Sequence, residues 1–140
     1  MSREQNKTAQ TRFAEAALSG NYQGFYDVVA PRSIDHDPAP GQVPGPDGFK
    51  QVFTELHTAF PDLDVQPVHV VVDDDNMAFA YTMTGTNQGP FLGFAPTGKK
   101  FKIHGLQISK FVNGQLVERW GSSDQLGILQ QLGLFPGPPS

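Results

Sequence analysis

The segment Trp120 to Gly133 reads WGSSDQLGILQQLG, and in it one carboxylate, Asp124, stands between a run with strand character and a run with helix character. An aspartate just ahead of a helical run is a favoured N-cap, contributing about 1 kcal/mol by accepting from backbone N–H groups. It can also act as a general base, where an apolar pocket with an aromatic such as Trp120 beside it disfavours the charged form. Parity favours the second role, because Trp120, Ser122 and Asp124 alternate onto one face at the end of the last predicted strand. The two roles predict opposite pKa shifts, since the donors of a cap hold the carboxylate ionised.

The chain has four histidines. His36 lies in DHDP, which lacks the second histidine or carboxylate at helical spacing that a metal site needs, and turn chemistry before Pro38 explains it more simply. His57 follows Phe53 by one turn and borders an apolar stripe, as a flanking side chain or a pocket residue. His69 points either to a cavity or into the core. His104 shares a strand face with Leu106, which favours a structural role. The chain has no Gly-x-Ser-x-Gly elbow, no phosphate-loop or dinucleotide glycine pattern and no His-Glu-x-x-His, so nucleophilic hydrolysis, nucleotide binding and zinc chemistry lack sequence support. With no cysteine, thiolate chemistry and disulfides are excluded. Acid/base work without a metal or cofactor remains.

What must position these residues is one domain, 1–140, since 140 residues suit a single core. The net charge of −4 argues against a nucleic-acid surface. The N-terminus has no apolar signal segment and no run of about 18 apolar residues occurs, so neither membrane insertion nor export is expected and the cytoplasm is the default.

Good helix formers fill Arg3 to Leu18, with Phe13, Ala17 and Leu18 as an apolar stripe ended by Gly20. Tyr22 to Val29 reads as a second helix that stops before Pro31, and Pro31 to Gly48 as an ordered loop. Phe49, Val52, Phe53, Leu56 and Phe60 predict a third helix over Asp47 to Phe60, with Pro46 at its start. The period then becomes two. Leu63, Val65, His69 and Val71 are assigned one strand face and Val68, Val70 and Val72 the other, with Pro67 marking an edge or bulge. DDDN turns the chain into a second strand around Met77 to Thr84. A long loop leads to a third, Lys100 to Phe111, joined by an Asn113-Gly114 turn to a fourth, Gln115 to Gly121. Asp124 to Leu132 closes as a short helix with Leu126, Leu129 and Leu132 on one side, ahead of a flexible Pro/Gly tail, 134–140.

Helices followed by an antiparallel meander define an α+β class, in which a curved sheet wraps round three N-terminal helices as a cone and a short helix follows. Phe101 and Ile103 face opposite to Leu106 and Ile108, so both sheet faces need cover. The helices can supply only one, which leaves the other for a homodimer or homotetramer partner.

GPDGFKQVFTELHTAFPDLDV, GTNQGPFLGFAPTGKK and NGQLVERWGSSDQLGILQQLG together resemble the SnoaL-like polyketide cyclases (ester cyclases) of the nuclear transport factor 2-like, or ketosteroid isomerase-like, superfold, over about residues 10–133. The resemblance implies a general acid/base at Asp124 for an intramolecular aldol closure or isomerisation of a hydrophobic, polyketide-like carbonyl substrate, with no cofactor. It raises His36 as a pocket residue; with Asp124 as base, His36 or His104 is the candidate polarising partner, and Trp120, Phe53, His57, Asn87, Phe91 and Phe94 are the candidate substrate contacts. Asn87 stands where family members commonly carry histidine, and an amide cannot shuttle a proton. Two other readings stay open: a ligand-binding or oligomerisation domain in which Asp124 only caps, and an epoxide hydrolase or ketosteroid-type isomerase. Epoxide hydrolysis would require a water held between carboxylates beside an arginine, and no second carboxylate is apparent near Asp124.

Overall fold

The computed structural model describes residues 2–135. Helix α1, Ser2–Ser19, places Ala9, Phe13, Ala16 and Ala17 on one stripe, all at most 5% exposed, and ends at Gly20 with φ 81°. The stripe packs on Phe25, Val28, Phe49, Phe111 and Leu116.

The predicted helix from Tyr22 to Val29 is shorter than its composition suggests. A 3₁₀ turn, Tyr22–Gly24, and one helical turn, α2, Phe25–Val28, lead directly into a strand, β1, Val29–Asp35. The segment read as loop from Pro31 therefore opens as an edge strand, parallel to β5. Alternation could not reveal it, because its inward Ser33 is polar and its register shifts between Val29 and Ile34. Pro31 is tolerated because an edge strand has a side with no ladder to donate to.

Helix α3, Pro46–Ala59, follows the predicted stripe, and Phe53 packs against both hydrophobic clusters of the core. Strands β2, Asp64–Val72, β3, Asn76–Thr86, β4, Lys100–Val112, and β5, Gln115–Ser123, run antiparallel, giving the sheet order β1-β5-β4-β3-β2. The β2 register shifts between Pro67 and His69, so Val65 and Pro67 lie opposite Met83 and Tyr81, while Val70 and Val72 lie opposite Phe79 and Met77. The extra residue at the bulge swaps the faces beyond it. Val70 and Val72 thus share the side of Val65, and His69 turns to the other side and is exposed.

The sheet curves over the helices. Phe101, Ile103, Gln107, Ser109 and Phe111 of β4 are buried on its concave side, whereas Leu106 and Ile108 are 63% and 44% exposed on the convex side. Helix α4, Gln125–Gln131, buries Ile128 with the following Leu132 in the second cluster, while Leu126, assigned to the same side from sequence, is half exposed. It occupies the flank of β4 that β5 vacates after Ser123. There the Gln131 carboxamide donates to the Lys102 carbonyl at 3.0 Å and accepts from the Lys102 N–H at 2.8 Å, closing the open strand edge. Leu134 also packs on this cluster, so the ordered chain runs past the predicted start of the tail; residues 136–140 lie outside the described residues. No helix among the described residues is long and apolar enough to cross a membrane.

Candidate functional site

Asp124 N-caps α4: its Oδ1 accepts from the Gly127 N–H at 2.8 Å. Any side chain at Gly127 would collide with that carboxylate, so the glycine is what lets Asp124 fold back over the first turn. Cross-strand pairing sets Trp120 opposite Ile108 and Ser122 opposite Leu106, both convex positions, and Asp124 is exposed at the end of that row. It lines an open recess of about 680 Å³ with His104, Ser122, Val68, Leu106 and Leu126. His104 Nδ1 lies 3.4 Å from the Thr82 hydroxyl. His36 is one strand away. Its ring stacks on Trp120, with centroids 4.6 Å apart and planes at 10°, and its Nε2 meets Glu118 Oε1 at 3.0 Å. The convex side therefore gathers Asp124 and His104 in one place and His36 with Trp120 in another.

The remaining sequence candidates lie elsewhere. Phe53 and His57 sit on α3 beneath the concave side. His57 is half-buried, its Nε2 is sealed without a hydrogen-bond partner, and desolvation pushes its pKa below the ordinary histidine value, favouring the neutral ring. Asn87 is fully buried in the β3–β4 connection, where its amide donates to the Gly89 carbonyl at 2.8 Å and accepts from the Thr97 N–H at 2.8 Å. Both ends of that amide tie the loop together. Phe91 packs on Phe60, with rings 5.0 Å apart, and Phe94 is 44% exposed.

Sequence reasoning missed a polar band across the concave side. Arg119 of β5 donates from Nη1 to Asp35 Oδ1 and Oδ2 at 2.9 and 3.1 Å, and from Nε to Gln107 Oε1 at 3.0 Å. Gln107 donates on to Ser109 at 3.0 Å, and Gln42 donates to Asp35 Oδ2 at 3.0 Å. The Asp35 and Arg119 side chains are 8% and 18% exposed. Next along the same side come Ser123 and Tyr81, both opposite Gly105. Burial pushes the Tyr81 phenol up, and the Arg119 charge pulls partly against it. The band divides the cluster of Phe13, Phe25, Phe49 and Phe111 from that of Phe60, Phe101, Ile103 and Ile128, with Phe53 bridging them overhead. Half-buried Met77 and Phe79 adjoin it from β3. The signal was present as parity, because Gln107, Ser109 and Arg119 fall on the apolar side of their hairpin. The partner Asp35 was hidden with β1 itself. Asp35 and Arg119 thus pair in the concave cup of the sheet, on the opposite side from Asp124.

The α+β cone with its C-terminal helix is a fold of the nuclear transport factor 2-like type. A family model, SnoaL-like polyketide cyclase, matches residues 7–132, and the chain belongs to that family. No curated protein matches it significantly. Among solved structures, IdmH of Streptomyces antibioticus, a candidate polyketide cyclase, is similar at 29% identity and a TM-score of 0.79, covering 91% of this chain and 98% of that one. AclR of Streptomyces galilaeus, a candidate hydroxylase, is 26% identical at a TM-score of 0.83, covering 99% and 87%. TsrD of Streptomyces laurentii shares the fold at 23% identity and a TM-score of 0.87, covering 96% and 99%.

Proposed function

We propose that the protein is a cofactor-independent acid/base enzyme that binds a small hydrophobic carbonyl compound in the concave cup and promotes its enolisation, as the first step of an aldol-type ring closure or an isomerisation. The observation that carries this reading is the polar band. A buried ion pair is weak evidence for stability, because desolvation offsets much of its attraction and apolar side chains would serve a core as well. Its position between two aromatic clusters suits a ligand with a flat apolar body and a few oxygens. Asp35 is the carboxylate of the cup, with both oxygens oriented by Arg119 and Gln42. It takes the proton alpha to the carbonyl and returns it to the new alkoxide, and a positioned base of this kind contributes roughly 10²- to 10⁴-fold.

A second reading keeps Asp124 as the base. In its favour, Asp124 shares a recess with His104 and the apolar Val68, Ala80, Leu106 and Leu126, and only Oδ1 serves the cap. Deuterium incorporation from D2O at the alpha carbon of 2-tetralone, followed by NMR, separates the two. Under the first reading Asp35→Asn removes most of the acceleration, about 100-fold, while Asp124→Asn changes it by less than threefold. The reverse pattern selects Asp124, and no acceleration by the wild-type protein removes both. The convex side, with Val68, Val71, Leu106 and Ile108 each at least 44% exposed, is the proposed contact of a homodimer or homotetramer. Such an assembly would cover the Asp124 recess and leave the cup free.

A further inference from the structure

Three concave glycines have no turn to make; the space at Gly85 is taken by Phe60 and Phe101, which leaves two. Gly105 and Gly121 lie within β4 and β5, where glycine weakens a strand and commonly marks a close approach by another group. A Cβ at Gly105 would fall on the ring and hydroxyl of Tyr81, and one at Gly121 would come within 2.5 Å of Arg119 Nη2. Each glycine therefore allows a neighbouring long side chain to lie flat against the sheet with its polar end over the floor of the cup.

One of those ends is unpartnered and the other keeps a proton to give, because Ser123 donates to the Tyr81 oxygen and leaves the phenol O–H to donate. Arg119 uses Nη1 and Nε for Asp35 and Gln107, and among the described residues Nη2 takes no hydrogen bond. Neither Nη2 nor the Tyr81 hydroxyl is a buried polar atom left without a partner. Gly105 and Gly121 are diagonal neighbours, because Gly105 pairs with Ser123 and Gly121 with Gln107. In an ideal sheet such positions stand about 7–8 Å apart. Two donors at that separation overreach a single oxygen. They suit two oxygens roughly 3 Å apart with a hydrogen bond of about 3 Å to each.

We propose that Tyr81 and Arg119 Nη2 form a two-point clamp for the paired oxygens of a flat β-dicarbonyl or its enol, and that Gly105 and Gly121 are the positions that set this specificity. The inference rests on the cup being the substrate site. As the dicarbonyl loses its proton the charge spreads over both oxygens, and both donors then bind more strongly, since hydrogen bonds to a charged acceptor are roughly twice as strong as neutral ones. The proton passes from the central carbon to the cup's base, and no oxidant or second substrate is involved.

Dibenzoylmethane, a flat 1,3-diketone whose enolate absorbs to the red of its neutral form, is the probe. Titrated at constant pH, the wild-type protein should bind it and raise the enolate fraction. Tyr81→Phe and Gly121→Ala should each weaken binding about 10-fold or more and reduce the red-shifted band, with unchanged far-UV circular dichroism. Tyr81→Phe removes one hydroxyl, and Gly121→Ala acts by displacing the guanidinium without removing its charge, so the two fail for different reasons if they fail to fold. No binding to the wild-type protein, or wild-type affinity and spectrum in both folded variants, overturns the clamp. Binding with the red-shifted band but no deuterium exchange into 2-tetralone would sink the enzyme reading and leave the clamp standing.

Discussion

At the scale of single residues, Asp124 shows how one side chain satisfies a local rule whatever else it does. Its cap implies that Asp124→Ala destabilises the protein by about 1 kcal/mol in urea unfolding, whereas Asp124→Asn, which keeps an acceptor, costs at most a few tenths. A loss well above 2 kcal/mol for Asn would mean that the carboxylate does more than cap. The capping role was legible because it depends on four consecutive positions, 124–127. His57 was less so, since its environment is built by α3 and the distant Tyr22. Its folded-state pKa is lowered, so the unfolded chain takes up the proton first as pH falls. Its contribution is therefore present above the unfolded value near 6.5 and is progressively lost below it. Unfolding titrations between pH 5 and 7 should show this loss in the wild-type protein and a flatter profile in His57→Gln; identical profiles would contradict it.

At the scale of elements, long and strongly periodic segments were readable, and those interrupted by one residue were not. α3 and the β4–β5 hairpin follow their patterns closely, because a stripe of phenylalanines and an Asn-Gly turn leave few alternatives. β2 was assigned as a strand but with the wrong parity beyond Pro67, since its bulge depends on pairing with β3. β1 was lost for a similar reason: a polar inward serine and a proline hide an edge strand whose partner lies more than 80 residues away. With it went Asp35, and half of the polar band. The β3–β4 connection rests on Asn87, whose buried amide serves the Gly89 carbonyl and the Thr97 N–H. Asn87→Ala should cost about 2–3 kcal/mol by urea unfolding, because it strands both groups in the interior. A loss below 0.5 kcal/mol would mean that the loop holds itself by other contacts.

At the scale of the whole molecule, the sheet separates two surfaces with different physics. The concave side places an arginine, a carboxylate, several amide and hydroxyl groups and a phenol among aromatic rings. The convex side presents apolar side chains that no other described residue covers, and exposed apolar patches of this kind commonly mark association surfaces. Leu106→Glu should shift the wild-type assembly toward the mass of one chain in sedimentation velocity, and a wild-type protein that already sediments as a monomer would exclude association through this face. The curved α+β architecture could be foreseen from element order and from the family motifs. The side of the sheet that holds the chemistry could not, because parity along one strand does not say which side the helices cover.

The most direct test is where a hydrophobic ketone sits. Intermolecular NOEs from 2-tetralone to the protein should run to the Met77 methyl and to the Phe53 and Phe79 rings, which border the polar band. NOEs confined to the methyl groups of Val68, Leu106 and Leu126 would put the ligand in the Asp124 recess and contradict the cup as the site.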